Sequence, residues 1–172
     1  MQISESHPLG WLFFIRLRWW MAVAISLPAA LQAQIIAQAE AAFPDEGGGF
    51  LLGHVSGESV EIRAAIGVEN TFAAAERHHR YAMTPQDWAQ IEDEADARGL
   101  TLVGYYHSHP NAPAIPSEYD RDHALPNFTY IITSVMQAKA AEMRAWHLRA
   151  DRAAFDPVVL RVTADDGSQM TF

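Results

Sequence analysis

A chain of 172 residues, 49% of them hydrophobic, is long enough for one domain and apolar enough to fill one core. A formal net charge of −9, from 12 Lys+Arg against 21 Asp+Glu, argues against nucleic-acid phosphates as the main partner. Zero cysteines exclude disulfides, thiolate nucleophiles and every zinc site that needs sulfur, so any metal here must be held by His and carboxylate.

Residues 1–20 read as an N-terminal extension ahead of a single domain at 21–172. The stretch from Leu9 to Trp20 is aromatic and apolar but interrupted by Arg16 and Arg18. Each arginine in mid-span disfavours membrane insertion by about 2.5–3.5 kcal/mol. Three readings are ranked: an upstream extension before a start at Met21, a secretory signal with its apolar core at 19–31, and a membrane anchor at 9–27. The first carries a cytoplasmic location, and secretion is the runner-up. No membrane contact is expected unless residues 9–27 anchor the chain.

A short strand is expected at 23–27, and Pro28 then opens a helix. Leu31, Ile35, Ala39 and Phe43 recur every four residues, which is the stripe of an amphipathic helix that Pro44 stops. Asp45-Glu46-Gly47-Gly48-Gly49 follows, and three glycines at a helix-to-strand joint allow close backbone approach or a simple turn. Strands are expected at 50–55 and 60–66, joined by a Ser56-Gly57 turn. Residues 70–83 read as a connector with a possible strand near Tyr81. Thr84-Pro85-Gln86-Asp87 has the form of a capped helix start, and Gly99 of a helix stop. Residues 100–107 form an apolar, central-looking strand. Pro110, Pro113 and Pro116 stiffen the next loop, a helix runs from Ser117 to about Leu125, and strands follow at 128–135, 142–149 and 157–163. The order is mixed α/β, with a sheet covered by helices on both faces.

The chemistry concentrates at Gly104-Tyr105-Tyr106-His107-Ser108-His109-Pro110. Side chains alternate along a strand, so His107 and His109 share a face and Ser108 points the other way. Two imidazoles on one ledge suit a divalent ion, and Asp120 is available as an oxygen ligand. Two histidines and a carboxylate leave a fourth position open, which is the layout of a catalytic zinc. A carboxylate is still needed to move protons, and Glu46 stands at a strand mouth with open backbone around it. Ser117-Glu118-Tyr119-Asp120 also fits a capping box, with Ser117 as a plain helix cap; the two roles are compatible. His54, His78, His79, His123 and His147 read as ordinary packed or surface residues. Trp88 and Trp146 read as core or edge fillers, and Tyr119 and Asp122 as neighbours of the site at most.

Glu46, His107-Ser108-His109-Pro110, six residues, Ser117, two residues and Asp120 together match the signature of the JAMM metalloproteases, also called the MPN-plus domain. The sequence resembles that family from about residue 25 to 163. The resemblance implies a cytidine-deaminase-like three-layer α/β fold, a mixed central sheet between helices. It implies one Zn²⁺ per chain held by His107, His109 and Asp120. It implies hydrolysis of a peptide or isopeptide bond, in which zinc-bound water attacks the carbonyl, Glu46 acts as general acid/base and Ser117 stabilises the oxyanion. Some compact prokaryotic relatives cut C-terminal Gly-Gly adducts of small ubiquitin-like or sulfur-carrier proteins, so the resemblance implies such a protein as the partner. Where relatives often have Glu-x-Cys-Gly, this chain has Glu46-Gly47-Gly48-Gly49, which costs no metal ligand.

The alternative is a catalytically silent MPN-type scaffold that only binds partners; such relatives have usually lost ligand residues, and here every one is kept. A DNA-repair relative would bring a basic module, which this acidic chain lacks. Zinc nucleobase deamination requires an H-x-E…P-C-x-x-C arrangement, and there is no Cys.

Overall fold

The computed structural model describes residues 24–81 and 84–164, so the extension at 1–20 and its rival readings as signal or anchor lie largely outside the described residues. Among the described residues no helix is long and apolar enough to cross a membrane. The elements are β1 (Ala24–Pro28), α1 (Ala29–Ala42), β2 (Gly48–Ser56), β3 (Ser59–Val68), α2 (Pro85–Ala97), β4 (Thr101–Pro110), α3 (Glu118–His123), β5 (Thr129–Met136), β6 (Lys139–Leu148) and β7 (Phe155–Thr163).

Alternation along the central strands explains how one sheet serves two apolar cores. Neighbours such as Leu51 and Leu52, Tyr105 and Tyr106, or Ile131 and Ile132 send their side chains into opposite clusters. The first cluster takes Ile91 and Ala95 of α2, and the second takes Ile35 of α1. Strands of this kind read as continuous apolar runs because both faces are covered.

The mixed sheet is as expected, but the open three-layer arrangement is corrected: the strands close as β1-β3-β2-β4-β5-β6-β7. The seam is β1, which runs parallel to β3 from Ala24↔Ser59 to Ser26↔Glu61 and parallel to β7 from Ala24↔Val159 to Pro28↔Thr163. Helix α1 touches every strand, so the sheet curls around it while α2 lies against β4 on the other side. Closure leaves no free edge along the ring. Sequence patterning shows which faces are apolar and cannot show that two distant strands share one neighbour.

The second correction concerns Tyr81. No strand forms at it among the described residues; its hydroxyl donates to the Val68 carbonyl at 2.7 Å and holds the segment against the end of β3. The start of α2 is as expected: Thr84 and Asp87 form a reciprocal capping box, and Gly99 takes a positive φ of 64° after the helix.

Candidate metal centre

Strand β4 carries the two histidines, and its alternation does what the spacing requires. His107 and His109 are both buried, with their Nε2 atoms 3.0 Å apart. Asp120 arrives from α3, with Oδ1 3.2 Å from His107 Nε2 and Oδ2 3.5 Å from His109 Nε2. One ligand atom from each of the three lies within 4.8 Å of the other two.

These separations fit a cation. Tetrahedral ligands at ~2.0–2.1 Å from a zinc ion stand ~3.3–3.4 Å from one another; here the two Nε2 atoms are 3.0 Å apart, and one Asp120 oxygen lies 3.2 Å from His107 Nε2 and the other 3.5 Å from His109 Nε2. The tautomer of His109 fits as well. Its Nδ1 lies 2.9 Å from the Pro113 carbonyl, which can only accept, so Nδ1 carries a proton and Nε2 is the nitrogen turned to the shared point. A single shared proton satisfies one pair of such atoms, whereas a divalent ion satisfies all three. The Pro-rich loop thus sets which ring nitrogen of His109 faces the site.

Asp120 is fixed locally. Ser117 is the N-cap of α3: the Asp120 amide donates to Ser117 Oγ at 3.1 Å, and Asp120 Oδ2 accepts from the Ser117 amide at 2.6 Å and its hydroxyl at 2.7 Å. Burial works against the Asp120 charge, yet His107 and the hydrogen bonds from His107, His109 and Ser117 hold its carboxyl well below the usual range. The His107 imidazolium is disfavoured by burial, but Asp120, and then Glu46, raise its pKa above the ordinary value.

Glu46 is fixed by distant partners. It is 6% exposed, and its amide donates to the Arg77 carbonyl at 2.7 Å. Its own carbonyl accepts from Asn70 Nδ2 at 3.0 Å, and the same amide group donates to the Arg80 carbonyl at 2.8 Å. Ser108, facing away from the histidines as expected, accepts from the Gly47 amide at 3.0 Å, and its own amide donates to the Gly47 carbonyl at 2.8 Å. Gly48 sits opposite His107 across the β2–β4 pairing. A Cβ there would lie 2.5 Å from the Tyr106 carbonyl oxygen and 3.1 Å from His107 Cβ, so close approach is what this glycine permits. Burial pushes the Glu46 carboxyl up to about 7, with the His107 and His109 charges pulling the other way. That is the range in which a carboxylate both takes and returns protons at neutral pH.

The structure therefore brings His107, His109 and Asp120 together, buries Glu46 within electrostatic reach of all three, and leaves Ser117 exposed with its hydroxyl on Asp120. Asn70, Arg77 and Ser108 were missed as supports of the site. Asn70, between the end of β3 and a run of turns, carried the one available signal: an Asx residue bonding two residues on, with Oδ1 accepting from the Phe72 amide at 3.1 Å. The bland reading holds for His78 and His79, which are exposed and contact each other.

Known proteins share this fold. Residues 28–149 match the family described as prokaryotic homologs of the JAB domain. The chain is 31% identical over 113 residues to a protein named Desampylase from Haloferax volcanii, covering 64% of this chain and 80% of that one. A 25-residue stretch is 68% identical to the MPN domain-containing protein of Homo sapiens, but spans 14% of this chain and 5% of the human protein. Among solved structures, a protein from Salinibacter ruber shares 34% identity at a TM-score of 0.63, covering 86% of this chain and 95% of its own. One from Desulfitobacterium hafniense, 22% identical with a TM-score of 0.70, covers 86% and 99% and shares the fold. The fold is that of a JAB/MPN domain. The chain belongs to the prokaryotic JAMM/MPN family.

Proposed function

We propose that the protein is a zinc-dependent isopeptidase or peptidase, acting on C-terminal Gly-Gly adducts of a small ubiquitin-like or sulfur-carrier protein. The observation that carries this reading is the convergence of His107, His109 and Asp120 beside a buried carboxyl poised near neutrality. Similarity to a desampylase supports the isopeptide bond and the ubiquitin-like substrate.

His107, His109 and Asp120 would hold the ion. Bound there, zinc supplies Lewis acidity, lowering the pKa of water towards ~7 and polarising the scissile carbonyl. Glu46 takes the proton of the attacking water and passes it to the departing amine, so that one buried group serves both transfers. The Ser117 hydroxyl, turned from Asp120 Oδ2, donates to the carbonyl oxygen as negative charge develops there. The contact of His109 Nδ1 with Pro113 leaves Nε2 as the nitrogen that would bind the ion.

The test is elemental analysis of the purified protein together with cleavage of a ubiquitin-like fusion. The reading expects one zinc per chain, and cleavage that a chelator abolishes, that zinc restores and that is lost in Glu46→Gln. A protein that takes up no metal yet still binds a ubiquitin-like partner would be an MPN-type scaffold, and the reading would fall.

A further inference from the structure

Beside the metal centre lies a cavity of about 340 Å³, and His107 and Asp120 form part of its wall. The rest is largely aromatic, with Tyr81, Trp88, Tyr105, Tyr119, Leu125 and Tyr130. Its size is at the low end of cavities that take small ligands or single side chains. The wall is rigid. The Tyr105 ring lies 5.2 to 5.7 Å from those of Phe50, Trp88, Phe128 and Tyr130. Two of its hydroxyls are engaged elsewhere, Tyr81 donating to Val68 and Tyr130 both donating to the Leu125 carbonyl and accepting from the Leu125 amide, while the Tyr105 hydroxyl is buried without a partner among the described residues. The cavity therefore offers ring surface and few hydrogen bonds. Among the described residues its lining includes no Lys or Arg, and Asp120 supplies the one carboxylate.

We propose that this cavity is a specificity pocket for a bulky apolar or aromatic side chain on the amine side of the scissile bond, one or two residues from it, the Gly-Gly on the carbonyl side having no side chain to offer. The proposal rests on the hydrolase reading above and deepens it. The distance follows from the strand: Tyr105 and His107 share a face of β4 two residues apart, ~6.6–6.8 Å, which is the reach of about two residues of extended substrate. The chemistry follows from the wall, since apolar surface and ring edges favour an apolar or aromatic occupant. Tyr81, Trp88, Tyr105, Tyr119 and Tyr130 offer ring faces to such an occupant. Leu125, 40% exposed, forms an apolar rim at the entrance.

The experiment uses the full-length protein and capped seven-residue Gly peptides carrying Phe, Leu, Glu or Lys at one position, with an all-Gly control. Binding is read by the NMR shift of the Trp88 indole, assigned with Trp88→Phe. Cleavage of fusions bearing the same residues is read separately on the zinc-loaded protein. The Phe and Leu peptides are expected to bind about tenfold or more tightly than the all-Gly peptide and to move the Trp88 signal. Leu125→Arg, a change at an exposed rim position, is expected to weaken them at least about fivefold while leaving Gly binding unchanged. Equal binding of Phe and Gly peptides, a silent Trp88, a preference for Glu or Lys, or no effect of Leu125→Arg would each overturn the pocket. Phe-selective binding with no cleavage of any fusion would leave the pocket standing and sink the hydrolase; cleavage indifferent to flanking side chains, with indifferent binding, would do the reverse.

Discussion

Asp120 and Glu46 are carried to the histidine pair by different kinds of structure. Asp120 sits at the third position of a helix whose first turn it caps itself, with Ser117 three residues away as its partner. Glu46 sits in a turn that its own neighbours do not hold. It is tied to Arg77 and Asn70 in one segment and, through Gly47, to Ser108 on β4. The electrostatics divide in the same way. The carboxyl set in local hydrogen bonds and beside His107 is held low, while the one buried without such bonds is pushed up to about 7. The difference teaches that a ligand needs only its charge and position, whereas a proton carrier must be kept from being comfortably ionised, and that takes burial supplied by distant parts of the chain.

The sharpest way to break this comparison is to exchange the losses. Asp120→Asn should lower zinc affinity by well over a hundredfold, read by competition with a chelator, because a ligand is lost and not only its support. Glu46→Gln should leave affinity within a few fold yet cut kcat by about 10²–10⁴-fold. Similar metal loss in both variants would refute the division of labour.

A smaller effect tests the supports. Asn70→Ala removes the amide that bonds Glu46 and Arg80 and should lower kcat about tenfold to a hundredfold with little change in KM, the signature of a misplaced base. A matching rise in KM would mean that the segment binds substrate instead. Ser117→Ala should cost about 1 kcal/mol of stability through the lost cap. A fall in kcat of about a hundredfold or more would add the oxyanion role, and Ser117→Asp, which keeps a cap, should then restore stability but not rate.

The smallest effect is on stability against pH. Glu46 is raised from its ordinary 4.5 to about 7 in the fold, so its contribution is fully present below pH 4.5 and is lost as pH rises through 7. In chelated protein, Glu46→Gln should therefore raise stability by about 3 kcal/mol at pH 8 and by little near pH 4.5. Denaturant melts at the two values check it, and an equal gain at both would show that ionisation of Glu46 is not the cause.

How much of this was legible follows the same line. The His107/His109 ledge rests on alternation over two residues and the Ser117–Asp120 cap on contact over three, so both are written in local sequence. Glu46 was found through its glycines and its place in a known motif, but its supports act across 24 and 61 residues, beyond any local period. Tyr81 looked like strand because it is aromatic among polar residues; its hydroxyl bond to Val68 holds it without a ladder. Trp88 was read as filler, and it does pack on Phe50 and Tyr105, but it also walls the cavity beside the metal centre. The ring closure was hidden because parallel pairing of β1 with β7 spans most of the chain.

That closure has a consequence for how the chain is made and processed. Strand β1 is the first element described, and it can pair with β7 only once synthesis is nearly complete, so the barrel is sealed by its most non-local contacts. A cut just beyond the apolar core at 19–31 would remove β1 and the start of α1 and leave β3 and β7 as two bare edges. A protease that trims this chain to an active form must therefore stop before Ala24, and a shorter product is expected to aggregate through those edges.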